Sequence, residues 1–354
     1  SSAASDVYKR QVYEYARQVF PDASILKLGM TFPLPKKMIQ EFAGGVKKLI
    51  VIEELDPFIE EQVRAMGINA IGKEIFPSCD ELLPQTIQSL AEKHHLLPAR
   101  TKAAPFQSSL SDPPGRSPVL CAGCPHRSTF FLLNKMKLPV AGDIGCYNLG
   151  TLPPFNAQHT MGSMGASIGV LHGMGKSNLP EPAVCTIGDG TFFHAGIPPL
   201  LNMVHNHGRC TVIIMDNHTT AMTGHQDHPG NDYTLMGQAT QRVDIENIVR
   251  SLGVEKVISV DAFDVKAMGK ALKECTIYDG TAVIIAKGPC IFVSRNPQPA
   301  YIVDADLCIA CGTCARAGCP ATIKIDEINP KNKMKKAGID PVLCIGCDIC
   351  RQVC

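Results

Sequence analysis

The sequence Ala-Val-Cys-Thr-Ile-Gly-Asp-Gly at residues 183–190, followed one helix-length later by Thr-Val-Ile-Ile-Met-Asp-Asn at residues 211–217, decides the fold. Each stretch begins as a short run of apolar and β-branched residues, which is typical of a buried strand. Residues 199–207 between them have a helical pattern, and another apolar run covers residues 281–286. Strands that alternate with helices in this way predict an α/β fold with a parallel sheet and crossover helices.

Polar residues follow two of these strands at the point where each strand ends. Asp189 lies between Gly188 and Gly190, and Asn217 follows the next strand. Because the carboxyl ends of parallel strands share one edge of the sheet, we expect Asp189, Asn217 and the carbonyl of Thr219 to share a Mg²⁺ ion. Glycines beside the carboxylate let a diphosphate approach the backbone. This context matches a thiamine diphosphate motif, so we expect these five residues to bind that cofactor; a turn without a ligand is the alternative.

Eight cysteines near the end of the chain form two runs with the spacing of metal ligands. Each run has three cysteines at intervals of three and a fourth several residues later, which is typical of ferredoxins with two [4Fe–4S] clusters. Because the fourth cysteine of a run reaches the other cluster, the runs exchange ligands. The first predicted set is Cys308, Cys311, Cys314 and Cys354, and the second is Cys319, Cys344, Cys347 and Cys350. Zinc sites or disulfides are the alternatives, although zinc ribbons seldom have a third cysteine at the same interval.

Four other cysteines flank the predicted sheet, namely Cys121, Cys124, Cys146 and Cys290. Four thiolates in one domain would suffice for a third [4Fe–4S] cluster. The alternative is that Cys146 and Cys290 are buried as small apolar residues, which is how free cysteine usually behaves. Packing is also the role expected of the isolated cysteines Cys79, Cys185, Cys210 and Cys275.

The bulk composition excludes several classes of protein. A chain of 354 residues with 45% hydrophobic and 19% charged residues can form two or three domains with ordinary cores. The formal net charge of +1, without long charged runs, argues against nucleic acid or an anionic membrane as the partner. No apolar run approaches the roughly 20 residues of a spanning helix and no signal-peptide core is present, so we expect a cytoplasmic protein. In a reducing compartment, 16 cysteines favour metal binding over disulfides.

Composition also divides the chain into segments. Residues 1–20 are predicted to be a tail or a non-native segment, residues 21–98 an α/β domain, and the Pro-, Ser-, Ala- and Gly-rich residues 99–118 a linker. Residues 119–296 would bind the diphosphate, and residues 300–354 would hold the two tail clusters in a C-terminally truncated domain. Because the chain lacks an initial methionine and stops at its last ligand cysteine, we expect it to be a fragment.

Several segments together resemble the 2-oxoacid:ferredoxin oxidoreductases, and in particular the alpha subunits of the members that act on indolepyruvate. The segments are CAGCPHR at 121–127, GDIGCYNLG at 142–150, MGASIG at 164–169, GDGTFFHAGIP at 188–198 and DNHTTAMTG at 216–224. The sequence VIEELDPFIEEQVR at 51–64 resembles the domain that precedes them in that family. The resemblance extends in the same order over about residues 20–354.

The resemblance implies a transketolase-C-terminal-like domain, then the thiamine diphosphate domain, then a ferredoxin-like domain with two [4Fe–4S] clusters. It implies an enzyme that converts an aryl 2-oxoacid such as indolepyruvate, coenzyme A and oxidised ferredoxin into the acyl-CoA (indoleacetyl-CoA), carbon dioxide and reduced ferredoxin. Implied partners are a beta subunit, in a hetero-oligomer, and an external ferredoxin. His126 and His159 are implied to contact phosphate or substrate as catalytic residues. The family's pyrimidine-binding domain has no counterpart before residue 20, so this chain is not expected to be active alone.

Other functions stay open at this point. The substrate could be phenylpyruvate, pyruvate or 2-oxoglutarate. The chain could instead be a non-catalytic electron-transfer subunit that has lost cofactor binding, although the intact Gly-Asp-Gly and Asn217 argue against this. A non-oxidative thiamine decarboxylase or synthase would leave the tail cysteines without a role. The loop histidines after the metal motif are either acid–base groups or solvent-facing residues, and they are His218, His225 and His228.

Overall fold

The computed structural model describes residues 3–6, 10–98, 115–177, 182–294 and 296–354. The chain divides into two compact units, Ser1–Pro113 and Pro114–Cys354. The predicted linker at 99–118 spans this division, but most of it, residues 99–114, lies outside the described residues. Within the described ranges, no helix combines the length and apolar character needed to cross a membrane.

The first unit is a parallel sheet connected by helices. Its elements are β1 (Ala3–Asp6), α1 (Arg10–Val19), β2 (Ser24–Lys27), α2 (Lys36–Gly44), β3 (Leu49–Val51), α3 (Phe58–Ala65), β4 (Ala70–Ile71) and α4 (Pro84–Lys93). The strand order is β2-β1-β3-β4, and every pairing is parallel. This topology confirms the α/β class.

The prediction that residues 1–20 form a tail outside the domain is wrong. Strand β1 lies inside the sheet, between β2 and β3. Helix α1 buries Val12, Ala16 and Val19 in the core of this unit. These residues follow the helical spacing i, i+4, i+7, a pattern that the polar composition of the segment concealed.

The second unit contains a larger parallel sheet. Its elements up to the last strand are α5 (His126–Met136), β5 (Val140–Gly142), a 3₁₀ helix (Cys146–Thr151), β6 (Thr160–Met161), α6 (Ala166–Lys176), β7 (Val184–Gly188), α7 (Asp189–Thr191), a π-helical turn (Phe192–Gly196), α8 (Ile197–His205), β8 (Thr211–Asp216), α9 (Ile245–Ser251), β9 (Lys256–Asp261), α10 (Val265–Thr276) and β10 (Ala282–Lys287). The strand order is β6-β5-β7-β8-β10-β9, and all pairings are parallel. The strands predicted at 183–187, 211–215 and 281–286 are thus confirmed within one residue.

The central strands are apolar along their whole length because both faces of the sheet are covered. Ile213 packs into one hydrophobic cluster, whereas its neighbours Val212 and Ile214 pack into another. Alternate residues of a strand point to opposite faces, so a sheet covered on both sides needs a continuous apolar run. The isolated cysteines Cys185, Cys210 and Cys275 are buried in these clusters as predicted, whereas Cys79 in the first unit is exposed.

The cysteine-rich segment packs directly against this sheet domain. Its elements are α11 (Ile291–Ser294), α12 (Thr313–Arg316), the antiparallel strands β11 (Thr322–Ile328) and β12 (Lys335–Ile339), and α13 (Ile349–Val353). Ile349 is buried in a cluster with residues of the sheet domain. The Gln352 side chain accepts a hydrogen bond from the Val265 amide at 2.9 Å and donates one to the Phe263 carbonyl at 2.8 Å. The segments at 119–296 and 300–354, predicted as separate domains, therefore share one compact unit.

A buried carboxylate fixes the start of α6. Asp143 follows β5, is fully buried, and accepts hydrogen bonds from the amides of Gly165, at 2.9 Å, and Ser167, at 3.1 Å. It also accepts from the amide of Ile144 at 2.8 Å. One side chain thus satisfies backbone donors at the end of a strand and at the beginning of a helix.

We expect Asp143→Ala to lower the free energy of unfolding by about 3 kcal/mol, because buried amides bonded to a charged acceptor lose their partner. Denaturant unfolding measures this. The matched control is Asp264→Ala, which removes the N-cap of α10 and should cost only about 1 kcal/mol. Equal losses in both variants would contradict the role assigned to Asp143.

Candidate cofactor site

The edge of the large sheet brings Asp189 and Asn217 together. Asp189 follows β7, and its side chain is buried, with the residue 2% exposed. Its Oδ2 accepts hydrogen bonds from the amides of Asn217, at 3.0 Å, and His218, at 2.7 Å. Its Oδ1 accepts from the amide of Gly190 at 2.8 Å. The carboxylate is therefore held at the carboxyl ends of β7 and β8.

Two further oxygen atoms converge beside this carboxylate, so that three lie together. The oxygen of the Asn217 side-chain amide lies 3.2 Å from Asp189 Oδ1 and 2.9 Å from the carbonyl oxygen of Thr219. With the amide turned over, its nitrogen would donate to both oxygens instead. An amide that faces only acceptors is suited either to donate to them or to share a cation with them. Carboxylate, amide and carbonyl oxygens are ligands that Mg²⁺ takes, so these residues fit that ion.

Across the described ranges, no group of three or more His, Cys, Asp or Glu side chains is arranged to hold a single metal ion. The oxygen set at Asp189 contains only one such side chain, because its other members are an amide and a backbone carbonyl. The cysteine sets are also compatible with this finding, since thiols around a four-iron cube lie farther apart than thiols bound to one ion.

The glycines of the motif leave no room for a side chain. A Cβ atom on Gly190 would overlap Thr220 Oγ1, and one on Gly188 would lie 2.6 Å from a ring carbon of Tyr147. Tyr147 itself is anchored, because its hydroxyl donates to the Ile144 carbonyl at 2.7 Å. A small cavity opens in front of Asp189, and its lining includes His126, Cys146, Tyr147, Asn217, Thr219 and Met222.

His228 is a site residue that sequence reasoning did not separate from its neighbours. Its Nε2 lies 3.2 Å from Asp189 Oδ2, and its side chain is nearly buried. Its Nδ1 accepts a hydrogen bond from the Gly230 amide at 3.1 Å, so in the neutral ring Nε2 carries the hydrogen. By contrast, His225 is exposed, and its ring centroid lies 5.5 Å from that of Phe292. Nothing in the sequence distinguishes these two loop histidines.

The two histidines predicted to be catalytic lie in different places. His126 begins α5, lines the cavity and is 3% exposed. Burial lowers the pKa of His126 to about 4, although the nearby Asp189 opposes the shift, so the ring is neutral at pH 7. His159 is exposed, and its Nδ1 accepts a hydrogen bond from the amide of Val140, the first residue of β5. The structure does not bring His159 together with Asp189.

The four cysteines around the sheet form one group of interacting thiols beside the cavity. Burial raises the pKa of the Cys124 thiol to about 12, and Cys121 and Cys146 add to the increase. Burial also raises the pKa of Cys146, with further contributions from Cys290 and Cys121. The Cys290 amide donates to the Asn217 carbonyl at 3.0 Å, which places this group next to the oxygen set.

The electrostatic influences among the tail cysteines divide them into two groups. Burial raises the pKa of the Cys314 thiol, and the next contributions to the increase come from Cys354, Cys311 and Cys308. In the other group, burial raises the pKa of Cys350 to about 11. The thiols that add to this second increase are Cys347, Cys319 and Cys344. The four cysteines of this second group also line one cavity.

Comparison with known proteins agrees with this site. The family described as "Thiamine pyrophosphate enzyme, C-terminal TPP binding domain" matches residues 143–286. Indolepyruvate oxidoreductase subunit IorA of Archaeoglobus fulgidus is 37% identical over 369 residues, which cover 97% of this chain and 57% of the relative. The subunit of the same name from Methanothermobacter thermautotrophicus is 36% identical, with 97% of this chain and 56% of the relative covered. The chain thus spans little more than half the length of these relatives.

Comparison with solved structures gives a match to 2-oxoglutarate:ferredoxin oxidoreductase from Magnetococcus marinus, with 2-oxoglutarate, coenzyme A and succinyl-CoA bound. It is 20% identical, with a TM-score of 0.43, and the match covers 51% of this chain and 66% of that one.

The lack of space for a side chain at Gly190 can be tested by substitution. We expect Gly190→Ala to lower the thermal stability of the protein, because the added methyl group would overlap Thr220 Oγ1. The double variant Gly190→Ala/Thr220→Ala should recover most of the loss, since it removes that oxygen. Scanning calorimetry measures both, with Thr220→Ala alone as the control. Additive losses in the double variant would rule out this contact as the reason for glycine.

Proposed function

The chain belongs to the family of the indolepyruvate oxidoreductase subunits called IorA, and we propose that it carries the cofactor site and the electron-transfer centres of an oxidative 2-oxoacid decarboxylase. One observation carries the proposal: an oxygen set suited to Mg²⁺ and three groups of interacting thiols share one compact unit. A thiamine site without an electron path would not need those thiols.

Asp189, Asn217 and the carbonyl of Thr219 would hold the Mg²⁺ of thiamine diphosphate. The cofactor, when bound, supplies the carbanion chemistry that releases carbon dioxide from a 2-oxoacid. The chain's own residues position the cofactor, because the amides of Asn217 and His218 orient the Asp189 carboxylate that would hold its Mg²⁺. His126 is a buried neutral ring in the wall of the cavity, so it can donate or accept one hydrogen bond to a reactant without adding charge.

The overall reaction must remove two electrons. A 2-oxoacid anion and coenzyme A thiol give an acyl-CoA, carbon dioxide, one proton and two electrons. A [4Fe–4S] cluster carries one electron at a time, so two electrons need more than one centre or two successive transfers. We propose that each of the three thiol groups holds such a cluster, and that two molecules of external ferredoxin each take one electron.

The positions of the thiol groups favour an order of transfer from the cavity to the surface. The group with Cys146 lies beside the cofactor cavity. Ile345 lies between Cys344 and Cys347 of the second group. Its side chain fills the space next to Gly123, which lies between Cys121 and Cys124 of the group beside the cavity. In the remaining group, Cys311 and Cys354 are exposed, where an external ferredoxin could accept the electron. Electrons would therefore leave through the tail.

An aryl 2-oxoacid such as indolepyruvate is the substrate we propose, with a beta subunit as partner and coenzyme A as co-substrate. The names of the relatives support this choice of substrate and the presence of further subunits.

The cofactor site is tested by titrating thiamine diphosphate with Mg²⁺ into the anaerobically purified protein. We expect Asp189→Ala to weaken binding by at least about 100-fold, or roughly 2.7 kcal/mol, because the carboxylate ligand is lost. Asp264→Ala removes the N-cap carboxylate of α10, which does not line the cavity, and this variant should bind like the unaltered protein. Binding that Asp189→Ala leaves unchanged would favour a pure electron-carrier function.

The thiol groups are tested by iron and acid-labile sulfide analysis of the same preparations. We expect about 12 irons per chain, four for each group. Cys146→Ser should reduce the content to about eight, whereas Cys275→Ser, a buried cysteine outside the three groups, should leave it unchanged. About eight irons in the unaltered protein would mean that the group beside the cavity holds no cluster.

A further inference from the structure

Arg127 is a buried cation between two of the thiol groups. It is the second residue of α5 and is 1% exposed, although arginine is seldom buried without an anionic partner. Within the described residues, no Asp or Glu side chain pairs with it. Leaving a guanidinium uncompensated in the interior costs several kcal/mol, so its position needs a reason.

The bonds of the guanidinium all go to backbone carbonyls of the two cysteine-bearing segments. Its Nε and Nη2 donate to the Cys121 carbonyl at 2.9 and 2.7 Å, and Nη2 also donates to the Leu120 carbonyl. Its Nη1 donates to the Ala317 carbonyl at 3.2 Å, across 190 positions of sequence. These carbonyls satisfy the donors but do not balance the positive charge.

The side chains that act electrostatically on Arg127 are cysteine thiols, which become anionic when they bind iron. Arg127 lines the same cavity as the four cysteines of the second group. Burial lowers the pKa of the guanidinium, and the influences that oppose this come from Cys319, Cys124, Cys347 and Cys121. Two of these belong to the second group and two to the group beside the cofactor cavity. The charge therefore lies between the two groups and close to both.

A fixed charge at this place has a definite electrostatic effect. A cluster held by four thiolates becomes more negative when it is reduced, and its reduction potential depends on nearby charge, hydrogen bonds and burial. A buried cation is poorly screened by solvent, so it favours the reduced state of each cluster beside it. It also offsets repulsion between two neighbouring clusters when both carry an electron.

We propose that Arg127 is a positioning residue that raises the reduction potentials of the two clusters on either side of it. It keeps the two potentials close together, so that electrons can pass from the cluster beside the cofactor cavity to the next cluster toward the surface. The inference rests on the proposed function, because it requires clusters at both groups. No thiol of the third group is among those that act on the pKa of Arg127, so the third cluster serves as the internal reference.

The test is a redox titration of the anaerobic, cluster-containing protein, followed by electron paramagnetic resonance. Arg127→Gln removes the charge and keeps hydrogen-bond donors. We expect at least a tenfold fall in the ratio of reduced to oxidised cluster at fixed potential for two of the three centres, equivalent to about 59 mV for a one-electron couple. The matched control is Arg316→Gln, which changes an exposed arginine beside Cys311. In this variant the ratio of reduced to oxidised cluster should change less than threefold.

Arg127→Lys is the second variant, because it keeps the charge and loses the planar fork. We expect it to assemble its clusters with ratios within threefold of the unaltered protein. Full iron content in Arg127→Gln with unchanged potentials would overturn the inference while leaving the proposed function intact. If Arg127→Gln fails to assemble its clusters, the result for Arg127→Lys is decisive. Failure of Arg127→Lys to assemble, or a tenfold change in its ratio of reduced to oxidised cluster, would overturn the inference, because hydrogen-bond geometry and not charge would then be the role of Arg127. Absence of iron in the unaltered protein would instead overturn the proposed function.

Discussion

The buried Asp189 carboxylate is the constraint on which the rest of the site depends. Its two oxygens accept hydrogen bonds from three backbone amides, namely that of Gly190 and those of Asn217 and His218, which follow β8. A carboxylate bonded in this way cannot rotate freely, so it ties the ends of two central strands to one point. The Asn217 amide and Thr219 carbonyl converge on that point only because the carboxylate holds the loop after β8.

The same loop connects the oxygen set with the thiols. Asn217 contributes its side chain to the oxygen set and its carbonyl to the amide of Cys290. From there, cysteine-bearing segments follow one another toward the tail, with Ile345 packed beside Gly123 and Arg127 bonded to both sides. The tail packs against the sheet domain through the buried Ile349, and the exposed Gln352 accepts a hydrogen bond from Val265 at the start of α10. The oxygen set and the three groups of thiols thus belong to one compact unit.

Much of this could be predicted from the sequence because the features are local or periodic. The apolar runs fixed the strands of the large sheet, since a strand covered on both faces must be apolar throughout. The order of the strands then brought Asp189 and Asn217 to one edge. The intervals between the tail cysteines were enough to predict an exchange of ligands between the two runs, and that exchange stays a prediction.

What the sequence did not reveal depends on tertiary contacts. The helix of residues 10–19 looked polar, and its apolar stripe has meaning only against the core that it covers. His228 and His225 are three residues apart in one loop, yet only the first reaches Asp189. The role of Arg127 was hidden because its charge acts on Cys319 and Cys347, which are distant in sequence. Similarly, exposure of His159 follows from its place at the other end of β5, not from its residue type.

The most direct measurement is rapid-freeze electron paramagnetic resonance of the anaerobic protein, assembled with its partner subunit, thiamine diphosphate, Mg²⁺, coenzyme A and an aryl 2-oxoacid, but without ferredoxin. If the cofactor site and the thiol groups work as one path, reduced [4Fe–4S] signals will appear within a turnover in the unaltered protein and be absent in Asp189→Ala. Consumption of the 2-oxoacid with no reduced cluster would show that the decarboxylating site and the cysteines are not connected.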